Sequence, residues 1–294
     1  MKKALVTGVA GFIGSHIAER LVEMGVAVVG IDDLSAGYES NIPKEVEFHK
    51  VDVCEIGKNG SILKGVNVIF HQAASKKNIC LKNPARDMEV NGIGTLRLLE
   101  QAVNYKIEKF VHASTGSVYG EVSGVIKENT ARNPQSFYGI SKTAGETYVT
   151  LFNKQSGLNT TILRYFHVYG ERQENKQETG GVFAIFTDKI IKGESIRIHG
   201  DGTQKRVFTY VKDIVEANIM SWLMPEARGQ IYNCASIFQM SIVDLAEALM
   251  KKYNKRVPII YDEPLVGDIY NFNVDSYKIH NQIGVTFRPI NKIL

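Results

Sequence analysis

The chain has 294 residues, 44% hydrophobic and 22% charged, with a formal net charge of +4, an ordinary globular composition with length for one large domain or two modest ones. The charge is spread without a basic run that would form a nucleic-acid face, and no apolar run approaches the ~20 residues of a membrane span. Cys54, Cys80 and Cys234 are scattered, and the N-terminal MKKALVTG passes directly into a strand pattern; no metal site, disulfide framework or signal peptide is expected, and a cytoplasmic location is.

Short β-rich runs come first: KALVT (3–7), VAVVGID (26–32), VEFHKVDV (46–53), VNVIFHQ (66–72), EKFVHAS (108–114) and NTTILRY (159–165). Helical spacing falls between most of them, at Ile13–Met24, Val90–Val103 and Ser141–Asn153. Strand and helix in alternation predict a doubly wound, parallel α/β sheet of the Rossmann kind. Runs such as LVT and VIF are continuously apolar, as strands covered on both faces should be.

After Arg164 the alternation loosens. Residues 171–181 read as a polar loop, 181–193 as a helix ending in Gly193, and 196–202 as a short strand and turn. A strand and helix follow over 206–223, then a helix over Ile242–Lys252 and a strand over 257–261. The expected division is a sheet domain of residues 1–165, rejoined by 206–235, and a smaller C-terminal α/β domain of 166–205 and 236–294.

TGVAGFIGSH places Gly8, Gly11 and Gly14 between the first strand and first helix, with Phe12 and Ile13 inside the same turn. Such glycines allow a tight turn, close approach of a pyrophosphate, and close packing of helix on strand. The helix N-terminus adds N–H groups and a positive dipole end. Asp32, 18 residues after Gly14 at the end of the second strand, suits the adenosine ribose hydroxyls and repels a 2′-phosphate. No arginine follows closely, so NAD is preferred to NADP. Asp52, with Val53 beside it, has a weaker claim on the adenine; a lone Asp after a strand is often a turn former.

HASTGSVYG (112–120) ends a strand with two hydroxyls, a glycine and a third hydroxyl. Further on, Tyr138 and Lys142 form a Y-x-x-x-K pair, one helical turn apart on one face. An ammonium beside a phenol stabilises the phenolate, lowering a pKa that is ordinarily about 10. A phenolate so held can take a hydroxyl proton while hydride leaves the same carbon. A surface helix pair is the bland alternative, weakened by the dinucleotide turn and the strand-end hydroxyls that precede it.

With these motifs the chain resembles the extended short-chain dehydrogenases/reductases, in the branch of UDP-galactose 4-epimerases. The likeness runs from Lys2 to about Thr286 through TGVAGFIGSH, HQAAS, NGIGT, STGSVYG, YGISK, LRYFHVYGERQ, GDGTQKRVFTYVKDI and GDI. It implies Thr115, Tyr138 and Lys142 as catalytic residues, with a lesser role for Ser114 and Lys142 also holding the nicotinamide ribose. It places Ala73, Ala74 and Asn91 where they line the cofactor or organise the sheet near it, a simple helix cap being the alternative for Asn91. Gly116 and Ser117 border the sugar, where related dehydratases and decarboxylases carry acids. His167 and Arg206 fall at the substrate diphosphate, and Val182 and Phe183 at the nucleotide base or in the core. Two departures stand out. His167 replaces a family asparagine, and an arginine expected near Leu265 is missing. The implied activity is 4-epimerisation of a UDP-hexose or UDP-N-acetylhexosamine with NAD, without metal, by a homodimer. A 4,6-dehydratase or 4-keto reductase, or a non-catalytic NAD-binding sensor or scaffold, stays open as an alternative.

Overall fold

The structure is a computed structural model and describes residues 2–75, 81–176, 180–264 and 273–294. Among these residues seven strands form one parallel sheet. They are β1 (Lys3–Thr7), β2 (Ala27–Asp32), β3 (Glu47–Lys50), β4 (Val68–His71), β5 (Lys109–Thr115), β6 (Thr160–Tyr165) and β7 (Gln230–Cys234). The spatial order is β7-β6-β5-β4-β1-β2-β3, so the connection reverses direction between β1 and β4. In open α/β sheets the crevice beyond the strand ends at such a reversal is where ligands sit.

Helices α1 (Phe12–Glu23), α2 (Thr95–Asn104), α3 (Phe137–Ser156), α4 (Val182–Lys192), α5 (Val211–Leu223), α6 (Ile242–Lys252) and α7 (Tyr277–Ile283) complete the fold. Successive side chains of a strand face opposite sides, and both sides are buried here. Ala4 and Val6 share a core with Ile17 and Leu21 of α1, Ile214 of α5, and Ile279 and Ile283 of α7. Leu5, between them, faces a second core with Leu98 and Leu99 of α2 and Val149 of α3. Each fully buried leucine contributes roughly 1.5–3 kcal/mol, which is why β1 tolerates no alternation of polar and apolar residues.

The helix expected over Val90–Val103 differs in form. It begins earlier, at Pro84–Met88, where Asn83 caps it by accepting the Arg86 N–H at 3.0 Å. A π-helical turn follows over Glu89–Gly94, and only then α2. Asn at the N-cap and Pro in the first turn are strong start signals, but this polar turn lies ahead of the apolar periodicity. The run 46–53 also shortens to β3, because Asp52 turns the chain by accepting the Cys54 N–H at 2.8 Å.

The smaller unit has a separate core of Phe186 and Ile190 from α4, Ile196 and Ile198, and Leu245 and Leu249 from α6. Its short strands pair as Ile196–His199 with Ile259–Asp262 and Lys205–Val207 with Gln239–Ser241. Ser241 caps α6 by accepting the Asp244 N–H at 3.1 Å.

Candidate active site

The ends of β1, β2 and β4 open into a cleft of about 640 Å³. Gly8, Gly11 and Phe12 form one wall, Asp32, Asp52 and Val53 a second, and Ala73, Ala74 and Tyr138 a third. Gly8 has φ +69°, a conformation side chains avoid. An added Cβ on Gly14 would lie 2.1 Å from the Gly8 carbonyl oxygen. The turn therefore exists only with glycine at both positions, and it brings bare backbone to the cleft as a pyrophosphate requires. Gly14 supports this turn from behind, and Ile13 packs on the cores of both units. Ser75, missed in the sequence, lines the cleft with a buried hydroxyl that has no hydrogen-bond partner among the described residues. The glycine cradle and this orphaned hydroxyl both fit a dinucleotide.

Asp32 is buried and holds the turn together, accepting the Ala10 N–H at 3.0 Å and the Leu34 N–H at 2.8 Å. Burial raises its carboxyl pKa above the usual value, against these two hydrogen bonds. Asp52 is also disfavoured by burial, but the Cys54 N–H and Arg86 outweigh it and its pKa falls. Arg86 donates to Asp52 and lies 3.7 Å from Asp33. An arginine thus reaches the Asp33 and Asp52 side of the cleft after all, from 53 residues beyond Asp33 in sequence, and it arrives already paired with carboxylates.

Tyr138 is half-buried and Lys142, one turn along α3, is 2% exposed. Ser136 starts the helix by accepting the Gly139 N–H at 3.1 Å, which puts Tyr138 in the first turn beside the cleft. Burial holds Lys142 down to about 8, against the carboxylates of Glu146 and Asp87. Two histidines are buried near it, and burial together with the Lys142 charge keeps both neutral: His71 falls to about 3 and His112 falls well below its ordinary value. Thr115 ends β5, where its hydroxyl accepts the Ser117 N–H at 3.2 Å and donates to the Ser117 hydroxyl at 3.3 Å.

Asn91 does not line the cleft. It sits in the π turn, 1% exposed, accepting the Ser75 N–H at 3.0 Å and donating to Asp87 and Ser141. Its amide is spent on holding the cleft wall to α3, an organising part beside the cleft in place of a simple cap. π turns are often found at functional sites, and this one lets an interior helix residue reach the segment after β4.

Gly116 is buried under Phe166. An added Cβ there would lie 2.3 Å from the ring, and that ring is itself 2% exposed, packed with Val118, Tyr119 and Val207. No side chain fits at 116 while Phe166 stays in place. Ser117, next to it, is half-buried.

The residues expected at the substrate diphosphate and base fall in the smaller unit and its junction with the sheet. His167 has φ +37°, a region that asparagine and histidine enter more readily than most residues. The backbone therefore explains why a histidine can stand where the resemblance implies an asparagine. Arg206 is 8% exposed and donates to the Lys205 carbonyl at 3.0 Å. Phe183 packs on the Tyr169 ring at 4.6 Å between centroids, and Val182 lies against the same core. The Leu265 position lies outside the described residues.

The polar loop after residue 170 contributes more than its composition indicates. Arg172, Gln173 and Glu174 line the cofactor cleft, and the Tyr38 hydroxyl donates to Glu174 at 3.1 Å across its mouth. Nothing in the local pattern of this loop signals that contact. Among the described residues no group of three or more His, Cys, Asp or Glu is arranged to hold a metal, and no helix is long and apolar enough to cross a membrane.

Comparison with known proteins agrees with this geometry. The chain is 40% identical over 280 residues to a Methanocaldococcus jannaschii protein whose UDP-glucose 4-epimerase name is provisional, covering 93% of this chain and 90% of that one. A solved UDP-glucose 4-epimerase of Thermotoga maritima with UDP-glucose superposes with a TM-score of 0.92 at 34% identity, covering 97% and 94% of the two chains. A UDP-N-acetylglucosamine 4-epimerase of Methanobrevibacter ruminantium gives 0.92 at 32%, covering 98% and 93%. A dTDP-glucose 4,6-dehydratase of Streptomyces venezuelae, with NAD bound, gives 0.89 at 26%, covering 98% and 92%. The profile of the NAD dependent epimerase/dehydratase family matches residues 4–235, the stretch that holds the glycine turn, Thr115, Tyr138 and Lys142, and the chain belongs to that family.

Proposed function

We propose that this chain is an NAD-dependent nucleotide-sugar 4-epimerase acting on a UDP-hexose or UDP-N-acetylhexosamine. The observation that favours epimerisation over dehydration is the contact of Gly116 with Phe166. A dehydratase needs an acid and a base beyond the C4 chemistry, and position 116 has no space for a carboxylate. NAD bound in the cleft supplies the acceptor and donor of hydride at C4. Tyr138 takes the proton of the 4-hydroxyl and returns it. Lys142 holds that phenolate with its charge and reaches the nicotinamide ribose. Thr115 relays the proton beside Tyr138, with Ser114 in a lesser part and Ser117 next to the sugar. His167 and Arg206 hold the diphosphate, while Val182 and Phe183 face the base.

In this division residues 1–165 with 206–235 carry the cofactor, and 166–205 with 236–294 the nucleotide sugar, apart from α7, whose Ile279 and Ile283 belong to the large-sheet core, the strand Lys205–Val207, which pairs within the smaller unit, and Arg172, Gln173 and Glu174, which line the cofactor cleft. A homodimer would cover the exposed Val103 of α2 and the exposed Ile140 and Leu151 of α3; the sedimentation mass checks it. A cytoplasmic location fits the free, buried thiols of Cys54 and Cys234, and cell fractionation tests it. The first test of the whole reading is mass spectrometry of whatever the denatured, purified protein releases, where NAD is expected and its absence counts against the reading.

Asp32→Ala should weaken NAD binding ~10- to 100-fold, the loss of hydrogen bonds to a charged group, and relax discrimination against NADP. Paired titrations of the two dinucleotides measure this; equal affinity in the wild-type protein would remove Asp32 from the ribose. Arg206→Ala should raise KM while kcat stays within about twofold, because grip on the diphosphate is the same in ground and transition states. The loss is roughly 1.5–3 kcal/mol, and an unchanged KM would remove Arg206 from the diphosphate.

The pH dependence follows from Lys142. Its folded pKa of about 8 lies below the ordinary lysine value, so the ammonium persists below that pH and is lost as pH rises through it. The kcat should therefore decline above about pH 8. A kcat profile flat to pH 10 would show that the Lys142 charge is not needed.

A further inference from the structure

Behind Tyr138 and Lys142 lies a buried ion pair to which the reaction so far assigns no part. Glu146 is the next residue of that helix face, four beyond Lys142, and it is fully buried. Its carboxylate accepts from Arg164 twice, from Nε at 2.8 Å and from Nη2 at 2.7 Å. The Ser114 hydroxyl donates to the same carboxylate at 2.6 Å. Arg132, at the surface, reaches it at 3.4 Å. Arg164 lies on β6 opposite Ser114 on β5. Its remaining nitrogen donates to the Tyr119 hydroxyl at 2.6 Å, which donates in turn to Asn233 on β7 at 2.7 Å.

This chain of contacts ties three strands to one point on the helix. Ser114 immediately precedes Thr115, so the strand end that carries the relay hydroxyl is fastened to the helix that carries Tyr138 and Lys142. We propose that Glu146, gripped by Arg164, is the positioning residue of the active site: it locks the end of β5 against α3 and sets Thr115 in register with Tyr138 and Lys142. A hydrophobic pair would pack these elements at least as stably. A bidentate arginine–carboxylate pair adds fixed direction, which a proton relay needs and a core does not.

The same carboxylate acts on Lys142 through space. Among the described residues, the charged and titratable groups facing that lysine include Glu146 and the Tyr138 phenol on its own helix, Asp87 on the helix Pro84–Met88, His71 on β4 and His112 on β5. The two histidines are neutral, and among the carboxylates of the described residues Glu146 and Asp87 favour the ammonium against burial.

The test combines three variants of the full-length NAD-bound protein with two readouts. Turnover rests on the epimerase reading, but the second readout does not: the Lys142 titration followed by NMR of lysine labelled with ¹³C at Cε, assigned by its absence in Lys142→Met. Glu146→Gln should lower kcat ~100-fold, the scale of an ångström misplacement, with KM within about twofold, and should move the Lys142 titration to lower pH. Glu146→Asp keeps the charge but shortens the reach, so kcat should fall while the titration stays close to wild type. Ser114→Ala removes the strand tether together with the lesser relay part given to Ser114, lowering kcat ~10-fold, within the range of misplacement effects, without moving the titration. Wild-type kcat in Ser114→Ala would overturn the positioning role, whether or not Glu146→Gln folds. An unmoved Lys142 titration in folded Glu146→Gln would overturn the electrostatic part. Failure of the wild-type protein to act on UDP-sugars would instead count against the proposed function, and the titration would still judge Glu146.

Discussion

Replacing Tyr138 with phenylalanine should abolish most turnover, ~100- to 10,000-fold in kcat, the range typical of a general acid–base group, while NAD stays bound. The substitution removes one oxygen at the edge of the cleft and leaves the ring's packing in place. The helix start at Ser136 and the burial of Lys142 do not depend on that oxygen. Cofactor content and melting temperature should therefore match wild type, and kcat alone should collapse. A Tyr138→Phe enzyme at wild-type rate would mean that the proton leaves the 4-hydroxyl by another route. Thr115→Ala should lose less, because a water can take part of its relay.

Gly14→Ala should cause the largest loss of cofactor. Its Cβ would meet Gly8 oxygen at 2.1 Å, Gly8 carbon at 2.8 Å and Val9 Cα at 3.3 Å, all of them backbone. None of these atoms can swing aside. The Gly8 N–H is held by the Ile31 carbonyl at 2.8 Å, and the Gly8 carbonyl accepts the Gly11 N–H at 3.0 Å. The turn has to open, and the pyrophosphate cradle opens with it. We expect destabilisation of about 1–3 kcal/mol, as for other overpacked sites, and protein purified without NAD. Thermal melting and the absorbance of nucleotide released on denaturation measure both. Wild-type cofactor content in this variant would disprove the geometry of the turn.

The sheet is readable because its central strands are buried on both faces and so are written around unbroken apolar runs, ALV within KALVT and VIF within VNVIFHQ among them. The glycine turn and the Tyr138–Lys142 pair were readable because each is local, set by spacing within one turn. What the sequence hid depends on contacts between distant segments. Glu146 and Arg164 are polar residues 18 apart, and nothing local marks them as a buried pair. Arg86 reaches Asp33 and Asp52 only because the chain crosses the sheet between them. Asn91 looked like a cap because the polar turn that begins its helix, and the π turn that redirects it, carry no apolar period. Gly116 stood out as the absence of an acid; that Phe166 fills the space is a fact of packing. His167 looked like a departure at the substrate, whereas its positive φ supplies a backbone reason for histidine to replace asparagine there.

The central claim is oxidation and re-reduction at one carbon with no net redox change, and one measurement addresses it most directly. Purified protein is incubated, without added NADH, with UDP-glucose, UDP-N-acetylglucosamine and their galacto epimers, and the products are read by proton NMR. Interconversion of glucose and galactose configurations at C4, approached from either side, is the predicted result. Build-up of a 4-keto-6-deoxy sugar, recognised by its 6-methyl signal, would contradict it and show that the space closed by Phe166 does not prevent elimination.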